Sequence, residues 1–341
     1  MKPLTHQFLR VVGSPFVSSG QKLSTEGISG LYRYAHKNRM SLLCLEALKK
    51  LGKLDLLQKE YDKLIGDYAK TERAVCRVSK ILDRADIDYA FFKSIRPYQE
   101  VTVDIDILIF GSRYKEVIQA FHRAGYTFLG DGPLSTTFRD MEARIDLDIY
   151  DEVGVSHIIY LDKDVLANFV GDRKLSNGEA VRSLVPEADL LAVIAHSVVK
   201  EQIYVLSEYY TTLYYLAKMK NTALNSFLSL IDKCRMRLAA QTHLGITALL
   251  HHLAHGYMPI SLMQLLKELD MDRLELMHVQ EMGFQMPYKY DFITIIKALI
   301  EKFGEEKARR SLASQTLNML NLKFTSSVIK MMFHHVSRET Y

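Results

Sequence analysis

The sequence predicts an α+β protein: a small mixed β-sheet core at residues 85–170, set between a helical N-terminal segment, 1–84, and an all-helical C-terminal domain, 171–341. Three observations carry that expectation. Apolar residues recur at helical spacing before residue 84 and again after about 162; between 87 and 160 the period changes to two. The charge changes with the period: residues 84–170 hold nine Lys/Arg against fifteen Asp/Glu, a net of −6, while the rest of the chain holds thirty-five against twenty-five, a net of +10. An acidic centre between basic flanks suits a site that holds divalent cations and handles polyanions.

In chain order, the first 27 residues, with Gly13, Ser14, Pro15, Ser18, Ser19 and Gly20, read as an irregular arm. From 28 to 83, Leu42, Leu45 and Leu48, and later Val75, Val78 and Leu82, form helical stripes. IDYAFF, VDIDILIF and ARIDLDIY read as strands, and YTFLG and STTFRD as hairpin arms around the turn Gly130-Asp131-Gly132-Pro133. One helix interrupts them, with Ser112 as its expected N-cap, Val117, Ile118 and Phe121 as its stripe, and Gly125 as its stop. Beyond 162 the signal is helical, with Pro186 at a helix start and Asn221, Gly256, Gly283 and Gly304 as punctuation.

Composition bounds the class. With 341 residues, 48% of them hydrophobic and 25% charged, the chain reads as folded and globular, not disordered or fibrous. Cys44, Cys76 and Cys234 stand apart, without metal or disulfide spacing, and read as reduced core residues. MKPLTHQFLRVVGSPF lacks the apolar centre of a signal peptide, and no run of about 18 apolar residues occurs, so a cytoplasmic protein with no membrane partner is expected. P-loop and GxGxxG fingerprints are absent.

The chemistry lies in FFKSIRPYQEVTVDIDILIF, residues 91–110. Burying a lone carboxylate is costly, yet this strand carries two. Alternation turns Val103, Ile105, Ile107 and Ile109 to one face and Asp104 and Asp106 to the other, about 6–7 Å apart at Cα. A divalent metal between them is the simplest way to keep both ionised. RIDLDIY repeats the pattern, with Asp146 and Asp148 opposite Ile145, Leu147 and Ile149. If the two strands are neighbours, three or four carboxylates converge, the ligand supply of a two-metal site.

These motifs resemble the DNA polymerase beta nucleotidyltransferase superfamily, whose pattern is Gly-Gly/Ser, about ten residues, a hydrophobic-Asp-hydrophobic-Asp/Glu strand, then a later hydrophobic-Asp-hydrophobic. Here Ser94 takes the second position of the first motif, nine residues separate it from Asp104, VDIDI supplies the pair and IDL at 145–147 the third acid. Lys93 stands where the superfamily usually has glycine. The sequence is most similar to a little-characterised prokaryotic nucleotidyltransferase family in which a Lys followed by a small residue is common there. The resemblance covers roughly residues 85–200 and makes the small sheet a nucleotidyltransferase core.

The resemblance implies a reaction: attack of an acceptor hydroxyl on the α-phosphorus of a nucleoside triphosphate bound with two Mg²⁺, with transfer of NMP and release of pyrophosphate. Asp104 and Asp106 would hold both metals; Asp146 would complete the site and draw off the acceptor's proton. Asp148 is its alternate, because a shift of register exchanges the two. Ser94 with its N–H, Lys93 and Arg96 would cradle the β- and γ-phosphates. RNA, a protein or a small molecule would serve equally as acceptor. Two other classes stay open: a catalytically silent nucleotide-binding relative, and a non-enzymatic interaction module.

Other features read as structural. His251 and His255 are one turn apart beside Gly256 and suit a helix C-terminus; His196 lies in the apolar helix LLAVIAHSVVK; Tyr210 and Tyr214 suggest packing. The basic end of the chain, with Lys330, His334, His335 and Arg338, reads as a solvated helix face or a track for phosphates.

Overall fold

The computed structural model describes residues 3–18, 27–271 and 286–318. Ser19, Gly20, Gly283 and the basic end with Lys330, His334, His335 and Arg338 lie outside the described residues.

The N-terminal third is helical. Helix α1 (Pro3–Val12) replaces the expected irregular arm: Phe8, Leu9 and Val11 are buried along it, a stripe that the Gly, Ser and Pro residues just beyond Val12 masked. It ends where Gly13, at φ +73°, donates its N–H to the Leu9 carbonyl. Helices α2 (Ile28–Lys37), α3 (Ser41–Lys50) and the long α4 (Gln58–Arg84) follow.

The strands are β1 (Tyr89–Phe91), β2 (Asp104–Ile109), β3 (Thr127–Asp131), β4 (Ser135–Asp140), β5 (Ile145–Tyr150), β6 (Val153–Val155), β7 (Ile158–Leu161), β8 (Val170–Lys174) and β9 (Ala180–Leu184), with α5 (Tyr114–Arg123) after β2 and the short α6 (Lys163–Leu166) after β7. Seven form one mixed sheet in the order β3-β4-β5-β2-β1-β9-β8, in which β2 lies parallel to β5, and β1 to β9. Residue 170, the expected end of the core, thus falls inside the sheet. VGDRK and AVRSL are too short and too polar to interrupt a helical reading, yet β9 pairs beside β1 and β8 closes the edge. The α5 start also differs: Arg113 occupies the N-cap with no side-chain cap, and its guanidinium reaches back to the carbonyls of Ala85 and Asp86.

The two faces of the sheet are treated unequally. Ile105, Ile107, Ile109, Leu147 and Ile149 are buried against Val75, Val78 and Leu82 of α4 and Val117 and Phe121 of α5. Each such side chain contributes about 1.5–3 kcal/mol when fully buried, which sets the register of β2 and β5. The opposite face carries the aspartates at one end. At the other, Leu108 and Tyr150 join the larger core of α7 (Pro186–Ala195), α8 (Leu206–Lys218), α9 (Asn221–Lys233) and α10 (Arg237–His255). A π-helical turn, His196–Glu201, extends α7 across the acidic end of the sheet. Cys44, Cys76 and Cys234 are free and buried. Among the described residues no helix is long and apolar enough to cross a membrane.

Candidate functional site

Strand register builds the site. Pairing of β2 with β5 sets Asp104 level with Asp146 and Asp106 level with Asp148, all on the face away from α4 and α5. Side-chain direction then separates the four. Carboxylate oxygens of Asp104, Asp106 and Asp148 all lie within 4.8 Å of one another. Asp148 is steered there by Thr137, whose hydroxyl donates to its Oδ1 at 2.6 Å. Asp146 turns to β4 instead, where Arg139 grips it with Nε at 2.6 Å and Nη2 at 2.9 Å. The third carboxylate of the cluster is therefore Asp148 and not Asp146, because Asp146 has a guanidinium directly across the strand pair.

Asp106 is buried, and its acidity shows the strain of the cluster. Burial pushes its carboxyl up to about 7, Lys93 opposes the rise, and the charges of Asp104 and Asp148 add to it. Three hard oxygen donors of like charge, gathered this closely, could hold a metal ion.

Lys93 sits in a left-handed conformation, φ +47°, at the centre of a tight turn in which the Ser94 N–H donates to the Phe92 carbonyl at 2.5 Å. Glycine would adopt this backbone without strain; lysine is held in it from both ends. Its ammonium donates to Oδ1 of Asp106 and lies 5.2 Å and 5.4 Å from the ring centres of Phe92 and Tyr150. Its main-chain N–H donates to Oδ1 of Asp189 in the first turn of α7. Asp189 is itself buried, accepts the Tyr215 hydroxyl on Oδ2 and lies 3.8 Å from the Arg173 guanidinium.

Ser94 faces its own chain: its hydroxyl donates to the Phe92 carbonyl and accepts the Asp106 N–H, each at 3.1 Å. With its N–H also committed, it serves to pin the turn onto β2. Arg96 donates to the Thr211 hydroxyl at 3.1 Å. Lys93, Ser94, Arg96, Asp104 and Asp106 together line one side of a cavity of about 280 Å³; His196, Lys200 and Glu201 of the π-helical turn, Glu208 of α8, and Arg39 line the other.

The far wall was only partly legible. Lys200 donates to the Tyr150 hydroxyl at 3.1 Å, and the π-helical turn aims both His196 and Lys200 at the cavity. Charging His196 is disfavoured: burial lowers its pKa well below the ordinary imidazole value, and Lys93 and Lys200 push the same way. Asp189, unremarked in the sequence, is buried within the apolar stretch ADLLAVIA at the start of α7, and that burial is the signal that it does more than an ordinary first-turn acid. His251 and His255 play no part here: His251 is hydrogen-bonded to the Tyr257 carbonyl at 2.8 Å and to Ser14 at 3.2 Å. Tyr210 is buried in the core, and Tyr214 packs on Tyr98 with ring centres 5.1 Å apart.

No protein-family model and no curated protein matches this chain. Among solved structures, a STING-associated CdnE c-di-GMP synthase from Capnocytophaga granulosa is similar at 13% identity and a TM-score of 0.27, the match covering 82% of this chain and all of that one.

Proposed function

We propose that this protein is a Mg²⁺-dependent nucleotidyltransferase, transferring NMP from a nucleoside triphosphate to an acceptor hydroxyl with release of pyrophosphate. The observation that carries the reading is the meeting of Asp104, Asp106 and Asp148 within 4.8 Å, from two parallel strands, with Asp104 and Asp106 on the wall of a cavity that Arg39, Lys93, Arg96 and Lys200 also line. The sequence motif lies on the same two strands.

In this reading Asp104, Asp106 and Asp148 hold the metal. Bound Mg²⁺ would polarise the α-phosphoryl group and neutralise charge on the leaving pyrophosphate. The remaining chemistry belongs to the chain. Lys93 and Arg96, with Lys200 opposite, attract and orient the triphosphate, while Ser94 keeps the turn in register with β2. Asp148, fixed by Thr137, takes the role of drawing the acceptor's proton. Neutral His196 adds no positive charge to a wall that already carries Lys93 and Lys200. The acceptor is RNA, a protein or a small molecule.

A second reading, a catalytically silent nucleotide-binding relative, has one observation in its favour: the Lys93 ammonium is seated on Asp106. One experiment separates them. The protein is incubated with each α-labelled nucleoside triphosphate and Mg²⁺, in the presence of total RNA or protein extract, beside an Asp104→Asn/Asp106→Asn variant. Label entering one fraction, and absent with the variant, supports transfer and identifies the acceptor class. Triphosphate binding without movement of label in any fraction would overturn transfer in favour of the silent relative.

A further inference from the structure

We propose that the protein has a second ligand site, built for a phosphomonoester such as a nucleoside monophosphate, behind the loop 95–99 from the carboxylate cluster. The cavity measures about 410 Å³ and lies between the 95–99 loop, β8, the start of α7 and the end of α8. That volume falls in the range of small-molecule sites.

Its charge is the main argument. Four cations line it, Arg96, Arg173, Lys174 and Lys218, against two acids, Glu72 and Asp172. Glu72 is occupied in tying down the next loop, accepting the N–H of Ser176 at 2.8 Å and the hydroxyl of Tyr68 at 3.1 Å. Arg173 is backed by Asp189 from the protein side. The two lysines have no such backing: Lys218 donates to the Pro97 carbonyl at 3.2 Å, and among the described residues neither Lys174 nor Lys218 has a carboxylate partner. Partial desolvation and the nearby Arg173 both lower the pKa of the Lys218 ammonium, so its charge is held where it is unfavourable until an anion arrives. Lysines and a fixed guanidinium on the wall of one cavity suit a phosphate dianion, and the apolar surfaces of Ile95, Pro97 and Leu175 offer a wall for an attached ring.

The cavity is wired to the first site. Arg96 lines both. Arg173 faces the same Asp189 whose other oxygen holds the Lys93 N–H. A phosphate drawn to Arg173 competes with Asp189 for the guanidinium, so occupancy here bears on the turn that positions Lys93. The claim concerns binding, and stands whether or not NMP is transferred at the carboxylate cluster.

The test is titration calorimetry of the full chain with adenosine 5′-monophosphate in the presence of EDTA, which removes divalent cations from the carboxylates. The wild type is expected to bind one equivalent. A Lys174→Gln/Lys218→Gln variant, changed at two exposed positions and checked for an unaltered melting curve, is expected to bind about tenfold more weakly. Asp104→Asn/Asp106→Asn is expected to bind as the wild type does. Competition by inorganic phosphate supports the phosphate as the anchoring group, whereas adenosine binding as tightly as its monophosphate would overturn it. Absence of saturable binding by the wild type, or binding lost in the aspartate variant and kept in the lysine variant, would also overturn the proposal.

Discussion

Lys93 lays its ammonium on Oδ1 of Asp106, so one of the three clustered carboxylates already has a counter-charge from the chain itself. The pair is buried, and the lysine is held in a left-handed backbone to make it. A metal held by this cluster would therefore compete with the lysine for the same carboxylate, and the ammonium it displaced would stand beside the cavity that Lys93 lines.

Lys93→Gly tests that competition. It removes the backbone strain but leaves Asp106 buried without its counter-charge, a loss of about 3–5 kcal/mol that proton uptake by Asp106 softens. The variant is expected to be less stable than the wild type in EDTA and to recover most of the difference in Mg²⁺, read from urea denaturation under both conditions. An equal deficit with and without Mg²⁺ would mean that the ion pair is structural only.

The choice between Asp146 and Asp148 yields a paired prediction. Asp148→Asn removes a charge from the cluster and is expected to lower transfer about a hundredfold, the scale seen when a preorganised charge is lost from an active site. Asp146→Asn weakens a half-exposed ion pair with Arg139 and should stay within about fivefold of the wild type, since such pairs contribute about 0–1 kcal/mol. Initial rates at saturating triphosphate decide the matter; the reverse ranking would return the third position to Asp146.

How far the site could be read from sequence follows from the same residues. VDIDI and RIDLDI have a period of two with β-branched apolar partners, so the strands and the face bearing the acids were legible before any coordinates. That β2 and β5 are parallel neighbours was not, because pairing is a long-range property with no local signature. The turn from Asp146 to Arg139 was equally hidden: it depends on β4 lying beside β5 in one register. β8 and β9 escaped because each is five residues long and polar at its exposed positions. Lys200 and Asp189 sit in a segment that reads simply as a buried helix, and only the π-helical turn and the packing of α7 against the 93–96 turn give them a role.

Ser94→Ala examines whether that serine acts on phosphate or on the chain. Its hydroxyl accepts the buried Asp106 N–H, so the substitution leaves that donor unsatisfied at a cost of about 1–3 kcal/mol. The expected outcome is a clear loss in urea stability with a KM for triphosphate changed less than about threefold, a shift worth under about 1 kcal/mol. A large rise in KM with stability unchanged would assign the hydroxyl to the phosphates instead.

Glu100 gives the protein a pH dependence that its own substitution isolates. The carboxylate reaches from the loop before β2 to the start of α3, accepting the N–H of Leu42 at 3.0 Å and of Leu43 at 3.2 Å where α3 has no side-chain cap of its own. Burial pushes its pKa up to about 7, against the lowering effect of these hydrogen bonds. In the unfolded chain the group ionises near the ordinary glutamate value, so between there and about 7 the folded state holds the extra proton. Its contribution to stability is therefore fully present below the unfolded value and is lost as pH rises through about 7, on the order of 3 kcal/mol in all. Glu100→Gln stays neutral throughout. The difference in unfolding free energy, wild type minus variant, should fall between about pH 5 and about pH 8 by up to that amount. Titration of Asp106 is common to both proteins and cancels. A difference that stays level or grows with pH would show that the α3 hydrogen bonds, and not burial, govern Glu100.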